Sequence, residues 1–169
     1  MESISVTLDS ARFDNTLKAI PITPENTMPY IKALSSTEPV ERAVDIAKVD
    51  DERRLVFGWA SVAVTKDGST VVDHEGDMID PRDLEDAAYS FVLKFGEANV
   101  NHTGPVVGRV VESFVSTPDK LTALGLPADA LPVGWWAGWY VEDDDAWAGV
   151  KSGKFKSFSI EGIGTREAA

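Results

Sequence analysis

Cysteine is absent from the 169-residue chain, which excludes disulfides, thiolate zinc sites and a cysteine nucleophile together. Histidine is nearly absent: the 2 residues are His74 and His102, and they are the only imidazoles that could titrate near neutral pH or serve as a general base. Basic residues are few beside acidic ones, 16 Lys and Arg against 28 Asp and Glu, for a net charge of −12. That balance argues against a nucleic-acid partner, because such binding rests on clustered cations displacing counterions from phosphates. No apolar run approaches the roughly 18 residues that would span a bilayer. The start, Met1-Glu2-Ser3-Ile4, has neither the basic start nor the apolar core of a secretory signal. A cytoplasmic protein with no membrane partner is the expectation. No fixed repeat period is present, which sets solenoids and propellers aside.

The chain holds 43% hydrophobic and 26% charged residues, enough for one globular domain with a core. Residues 1–45 differ from the remainder. Pro21, Pro24, Pro29 and Pro39 interrupt them, and proline removes donors and biases its predecessor away from helix. The region reads as an extended arm, linker or propeptide, with a short helix around Met28 to Leu34 as an alternative. Residues 46–169 read as the folded domain. β-Branched and aromatic residues predict a strand from Arg54 to Val64, and Lys66-Asp67-Gly68-Ser69 a tight turn into a hairpin partner, Thr70 to Asp73. The strongest helix follows, with Asp80 as N-cap, Pro81 first in the helix, an apolar stripe of Leu84, Ala87, Ala88, Phe91, Val92 and Phe95, and Gly96 as a left-handed stop.

Further on, a short run Ala98 to His102 leads through Gly104-Pro105 into a strand Val106 to Val115. Thr117 to Pro132 is a long excursion that could line a groove or wrap the surface. Val133 to Val141 is an aromatic strand whose Trp135 and Trp139 share one face and whose Trp136 lies on the other, an arrangement that favours core packing over a ligand platform. Glu142 to Asp145 cap a short helix, Ala146 to Lys151. The acidic loop Asp73 to Asp77 has carboxylates without the regular spacing of a calcium loop, so it reads as a structural loop, and His74 within it as a solvated side chain. No metal or organic cofactor is expected. The order of elements predicts a mainly β protein with flanking helices (α+β), most economically a small antiparallel β-barrel.

The candidate chemistry lies near the C-terminus. Read as a strand, Phe155 to Glu161 puts Phe158 and Ile160 on one face and Ser157, Ser159 and Glu161 on the other. Two hydroxyls then stand at rigid, solvent-accessible positions. Ser159 as nucleophile and His102 as its base would make a serine protease. The plainer alternative, strand serines facing water and a surface histidine, stands beside it, since such pairs are recognised by geometry and not by sequence distance.

From about Ile46 onward the chain resembles the phage prohead maturation proteases, most closely their XkdF-like subgroup of serine proteases. The resemblance rests on Lys48 to Gly58, Asp73 to Ile79, His102 followed by Pro105-Val106-Val107-Gly108, and Trp147 to Gly162. It implies a herpesvirus-assemblin-like barrel and a Ser-His pair that cleaves phage scaffold and capsid-associated proteins inside the procapsid in the host cytoplasm. Position by position, His102 matches the family histidine, Ser159 the serine of the Phe-Ser-Ile-Gly signature, and Ser157 a usual glycine. Glu161 replaces the glycine after Ser-Ile, where a carboxylate would either repel an oxyanion or orient a histidine, so it is a candidate third member or modulator. Families of this kind carry a third catalytic residue on a later strand. The end at Ala169 therefore implies either a truncated or processed chain or an orienting group elsewhere. A homodimer is implied by the resemblance alone. The rival expectation is a catalytically inactive assembly module of a phage particle that keeps the barrel.

Overall fold

The computed structural model describes residues 4–8, 33–73, 76–101 and 103–167, of which 4–8, 33–44, 103 and 161–167 are described by backbone alone. Its elements in chain order are β1 (Ile4–Leu8), β2 (Ala33–Asp50), β3 (Leu55–Val64), α1 (Pro81–Lys94), β4 (Glu97–Val100), β5 (Thr103–Ser116), α2 (Pro118–Ala123), β6 (Val133–Val141), α3 (Asp144–Lys151) and β7 (Ser157–Glu167). The fold is the expected mainly β, α+β type.

The strands form a closed barrel in the order β1-β4-β5-β6-β3-β2-β7. Every pairing from β4 round to β7 is antiparallel. The ring is completed by β1, antiparallel to β4 and parallel to β7, so the expected all-antiparallel barrel contains one parallel pairing. Six strands thus make a continuous curled sheet, and β1 is the stave that shuts it.

The concave side of the sheet is filled by α1 and by aromatic residues of β6. Leu84, Ala88 and Phe91 of α1 are buried, and the Phe91 ring lies 5.5 Å from both Trp135 and Trp139. Trp139 in turn lies 6.2 Å from Phe158 of β7. Trp135 and Trp139 are fully buried, as core packing requires, while Trp136 is half-buried on the convex side, edge-on to Trp59 at 5.6 Å. Gly138 on that side is the seat of the Phe57 ring: a Cβ there would stand 2.6 Å from Cδ1.

The local signals that start and stop α1 are all used. The Asp80 side chain accepts from Arg82 N at 2.8 Å, Pro81 opens the helix, and Gly96, at φ 66°, donates back to Phe91 O. The stripe is narrower than its periodicity predicts. Val92 and Phe95 are 44% and 36% exposed, and Ser90 is buried in their stead. In α3 the N-cap is Asp143, whose side chain accepts from Ala146 N at 2.8 Å, so the helix begins two residues earlier than expected.

Two other expectations, the hairpin partner and the start of the strand at Arg54, are corrected, and two regions gain detail. The hairpin partner at 70–73 is reduced to an isolated bridge, Val64 to Thr70; Thr65, Asp67 and Ser69 form a closed turn among themselves, and Val72, 55% exposed, has no apolar face to bury against. The 117–132 excursion contains α2, begun by Pro118 after Thr117. The strand drawn from Arg54 starts at Leu55, since Arg54 has φ 56°, a left-handed conformation outside any strand. Residues 33–45, read as arm, continue into β2 and pair with β7, so the line drawn at residue 45 falls inside a strand. Pro39 fits there because β2 pairs with β3 only from Ile46 onward. Its ring therefore sits on a stretch with ladder bonds on one side only among the described residues, where a missing N–H costs little. Residues 28–32, which the alternative helix would have used, lie outside the described residues.

Candidate active site

The serine strand β7 begins where the chain turns out of α3. Gly149 O accepts from both Lys154 N and Phe155 N, at 2.9 and 3.1 Å, and Phe155 is buried against that helix. This fold-back delivers Ser157 into the ladder in fixed register, opposite Asp45 of β2. Two residues on, Ser159 stands opposite Ala43 on β2 and Ser5 on β1.

The predicted alternation is present but the predicted exposure is not. Ser157 is 2% exposed and Ser159 0%, and Phe158 and Ile160 between and beyond them are equally buried. The physical reason is topological. β7 has hydrogen-bonded neighbours on both sides, β2 and β1, so it is an interior strand of a closed barrel and not an accessible edge. Ser157 Oγ has no hydrogen-bond partner among the described residues. Flanking the row, Lys156 and Asp45 are exposed.

His102 lies outside the described residues, as does His74. The flanks of His102 are described: Val100 pairs with Thr103 across β4 and β5, and Asn101 has φ 51°. Glu161 is described by backbone only, opposite Glu41 on β2 and Thr7 on β1. β7 and β4 are not direct neighbours. β1 stands between them, and its Ser5 pairs with Ser159 on one side and Asn99 on the other. At about 4.8 Å per strand step, the Ser159 and Asn99 backbones are about 10 Å apart across Ser5. Asn99 Oδ1 is buried and has no partner among the described residues.

Sequence reasoning missed the part played by β1. Its signal was present: Ile4-Ser5-Val6-Thr7-Leu8 alternates apolar and polar residues with the period of a half-buried strand. Among the described residues no group of three or more His, Asp or Glu is placed to hold a metal ion. In the loop before α1, Asp73 and Asp77 are used structurally, with Asp77 N donating to Asp73 Oδ1 at 2.8 Å and Asp73 N to Asp77 O at 2.9 Å. No described helix is long and apolar enough to cross a membrane.

The arrangement defines a small, mainly antiparallel barrel that carries a buried serine row on an interior strand. The model of the family described as "Putative phage serine protease XkdF" matches residues 43–167, and the chain belongs to that family. It is similar to the phage-like element PBSX protein XkdF of Bacillus subtilis (strain 168), 28% identical over 113 residues, which are 66% of this chain and 38% of that protein. The chain therefore spans well under half the length of this relative. No solved structure matches it.

Proposed function

We propose that this chain is a phage prohead maturation protease, a serine endopeptidase that cleaves scaffold and capsid-associated proteins during head assembly, inside the procapsid in the host cytoplasm. Ser159 is the nucleophile and His102 the general base. His102 takes the Ser159 proton as Oγ attacks the peptide carbonyl, an acyl-enzyme forms as the amine departs with that proton, and water, deprotonated by the same imidazole, releases the acid. Glu161 modulates the pair from the same strand. No cofactor takes part.

The observation that supports the reading is the family match over residues 43–167 together with the place of Ser159, fixed in an interior strand two strand steps across Ser5 from Asn99, which precedes His102 by three residues. A nucleophile that is 0% exposed belongs to a closed form, and the reaction requires that the sheet open beside it. The same burial is the observation on the side of an inactive assembly module. Purified protein incubated with the scaffold protein of its own phage separates the two. Cleavage that is lost in both Ser159→Ala and His102→Ala supports the protease; cleavage unchanged in either variant rejects the assignment, and no cleavage by any form leaves the assembly module.

A further inference from the structure

The barrel closes through a strand unlike its others. β1 contributes five residues to a ladder with β7 and two to a ladder with β4, and the β7 pairing is parallel, the weaker kind per residue. The other six strands pair with one another without it. Taking β1 away leaves that sheet intact and bares two edges, β7 at Phe158 to Gly162 and β4 at Asn99 and Val100. One of those edges contains Ser159, and the other ends at Val100.

We propose that the slot between β4 and β7 is an acceptor for an extended peptide strand, and that β1 is its intramolecular and exchangeable occupant. The inference deepens the proposed function, on which it rests for identifying the incoming strand as substrate. Unpaired strand edges take up extended segments through main-chain hydrogen bonds, with selectivity from alternate side chains. Here the register defines the selectivity. Ile4, Val6 and Leu8 stand opposite Phe158, Ile160 and Gly162, and Ser5 and Thr7 opposite Ser159 and Glu161. The preferred ligand is therefore an extended peptide with apolar residues at every second position and small polar residues between, running parallel to β7. Its small polar residue takes the register position opposite Ser159 that Ser5 holds. While β1 is in place, the slot is filled and the nucleophile covered.

The native absence of cysteine makes a clean test. Ser5→Cys with Asn99→Cys pairs two thiols across the antiparallel β1–β4 ladder, the spacing a disulfide needs. Val6→Pro, in the full chain, removes a ladder donor from β1 and weakens its hold. The probe is a fluorescein-labelled peptide of residues 1–10, read by anisotropy. The reduced cysteine pair should bind it, the oxidised pair should bind at least about tenfold more weakly, and Val6→Pro should bind about tenfold more tightly than wild type, as a larger fraction of empty slot predicts. Equal affinity of the reduced and oxidised forms, or failure of the two cysteines to cross-link in the folded protein, overturns the proposal. Should Val6→Pro unfold, the redox comparison decides alone. Cleavage is scored separately. Redox-gated peptide binding without any cleavage refutes the protease and leaves the acceptor slot standing, whereas cleavage that is indifferent to the cross-link refutes the slot and leaves the protease.

Discussion

Gly149 stands inside α3, where replacing glycine by alanine ordinarily stabilises a helix by about 1 kcal/mol. In this protein Gly149→Ala should do the reverse. A Cβ at that position would lie 2.5 Å from Cδ2 of Phe155 and closer still to Cε2. Phe155 is 6% exposed and part of the core, so its ring has no solvent to swing into. The helix cannot readily back away, because the carbonyl of Gly149 is held by Lys154 N and Phe155 N together. Overpacking of this kind costs about 1–3 kcal/mol, and the doubly anchored carbonyl puts the cost toward the upper end. The net expectation is a loss of about 1–2 kcal/mol, which at roughly 2–4 °C per kcal/mol for a chain of this size lowers Tm by about 2–8 °C.

Calorimetric or circular-dichroism melting, with urea titration to fix the free-energy scale, would measure it. The cause is isolated by repeating the substitution in a Phe155→Leu background, where the obstructing ring is gone. There Gly149→Ala should cost nothing or stabilise, giving a coupling of about 1–3 kcal/mol. A rise in Tm for Gly149→Ala in the otherwise native chain would refute the reasoning and, with it, the tight fold-back that sets the register of β7.

Arg54 donates to Asp144 Oδ1 and to Asp143 O at 2.8 and 2.9 Å and lies over the Trp147 ring, pinning the start of α3. Arg54→Ala should destabilise by about 1–2 kcal/mol in urea titration, and Arg54→Gly by about 1 kcal/mol less, since glycine relieves the left-handed φ of 56°. On α1 the carboxylates titrate in opposite senses. Burial pushes Glu85 up, but the hydrogen bonds from Lys120 and Tyr89 outweigh it and hold the carboxyl below the usual range. Its contribution is therefore present above the unfolded glutamate pKa and lost as pH falls through the folded one, so the deficit of Glu85→Gln at neutral pH should vanish on acidification. Asp83 is pushed up, first by burial and then by Asp80 and Asp86; its ionised form weakens the fold, so Asp83→Asn should raise stability at pH 7 with no gain in acid. Stability curves of both variants across pH check the two signs, and a shared sign would count against them. In hydrogen exchange, amides of 158–162 should open well before those of β6, and equal protection would argue against a weak closing strand.

What could be read in the sequence was what is determined locally. Asp80, Pro81 and Gly96 mark the ends of α1 through contacts within a few residues, and the aromatic alternation in β6 puts Trp135 and Trp139 inward without reference to any other element. The serine row was legible for the same reason. Its burial was not, because exposure of a strand face depends on what packs over it in the closed barrel, and the strands that place β7 inside that barrel, β1 and the first half of β2, come from large sequence separation. Pro39 made that region read as arm: a proline argues against a central strand, and only the one-sided pairing of residues 33–45 lifts the objection. The same gap hid the separation of β7 from β4, since nothing in Ile4 to Leu8 names the slot it fills.

The placement of β1 sets closure and access against each other. Ordering five residues of backbone costs about 1–2 kcal/mol each, and a short parallel ladder near the start of the chain returns only a modest excess over that cost. A closing strand anywhere else in the barrel could be strengthened without consequence for Ser159. This one cannot, because each pairing that secures β1 to β7 also occupies main-chain groups that an incoming peptide would need beside the hydroxyl. On the proposed reading, a weak, exchangeable stave at this position lets one sheet be closed when idle and open to an extended peptide.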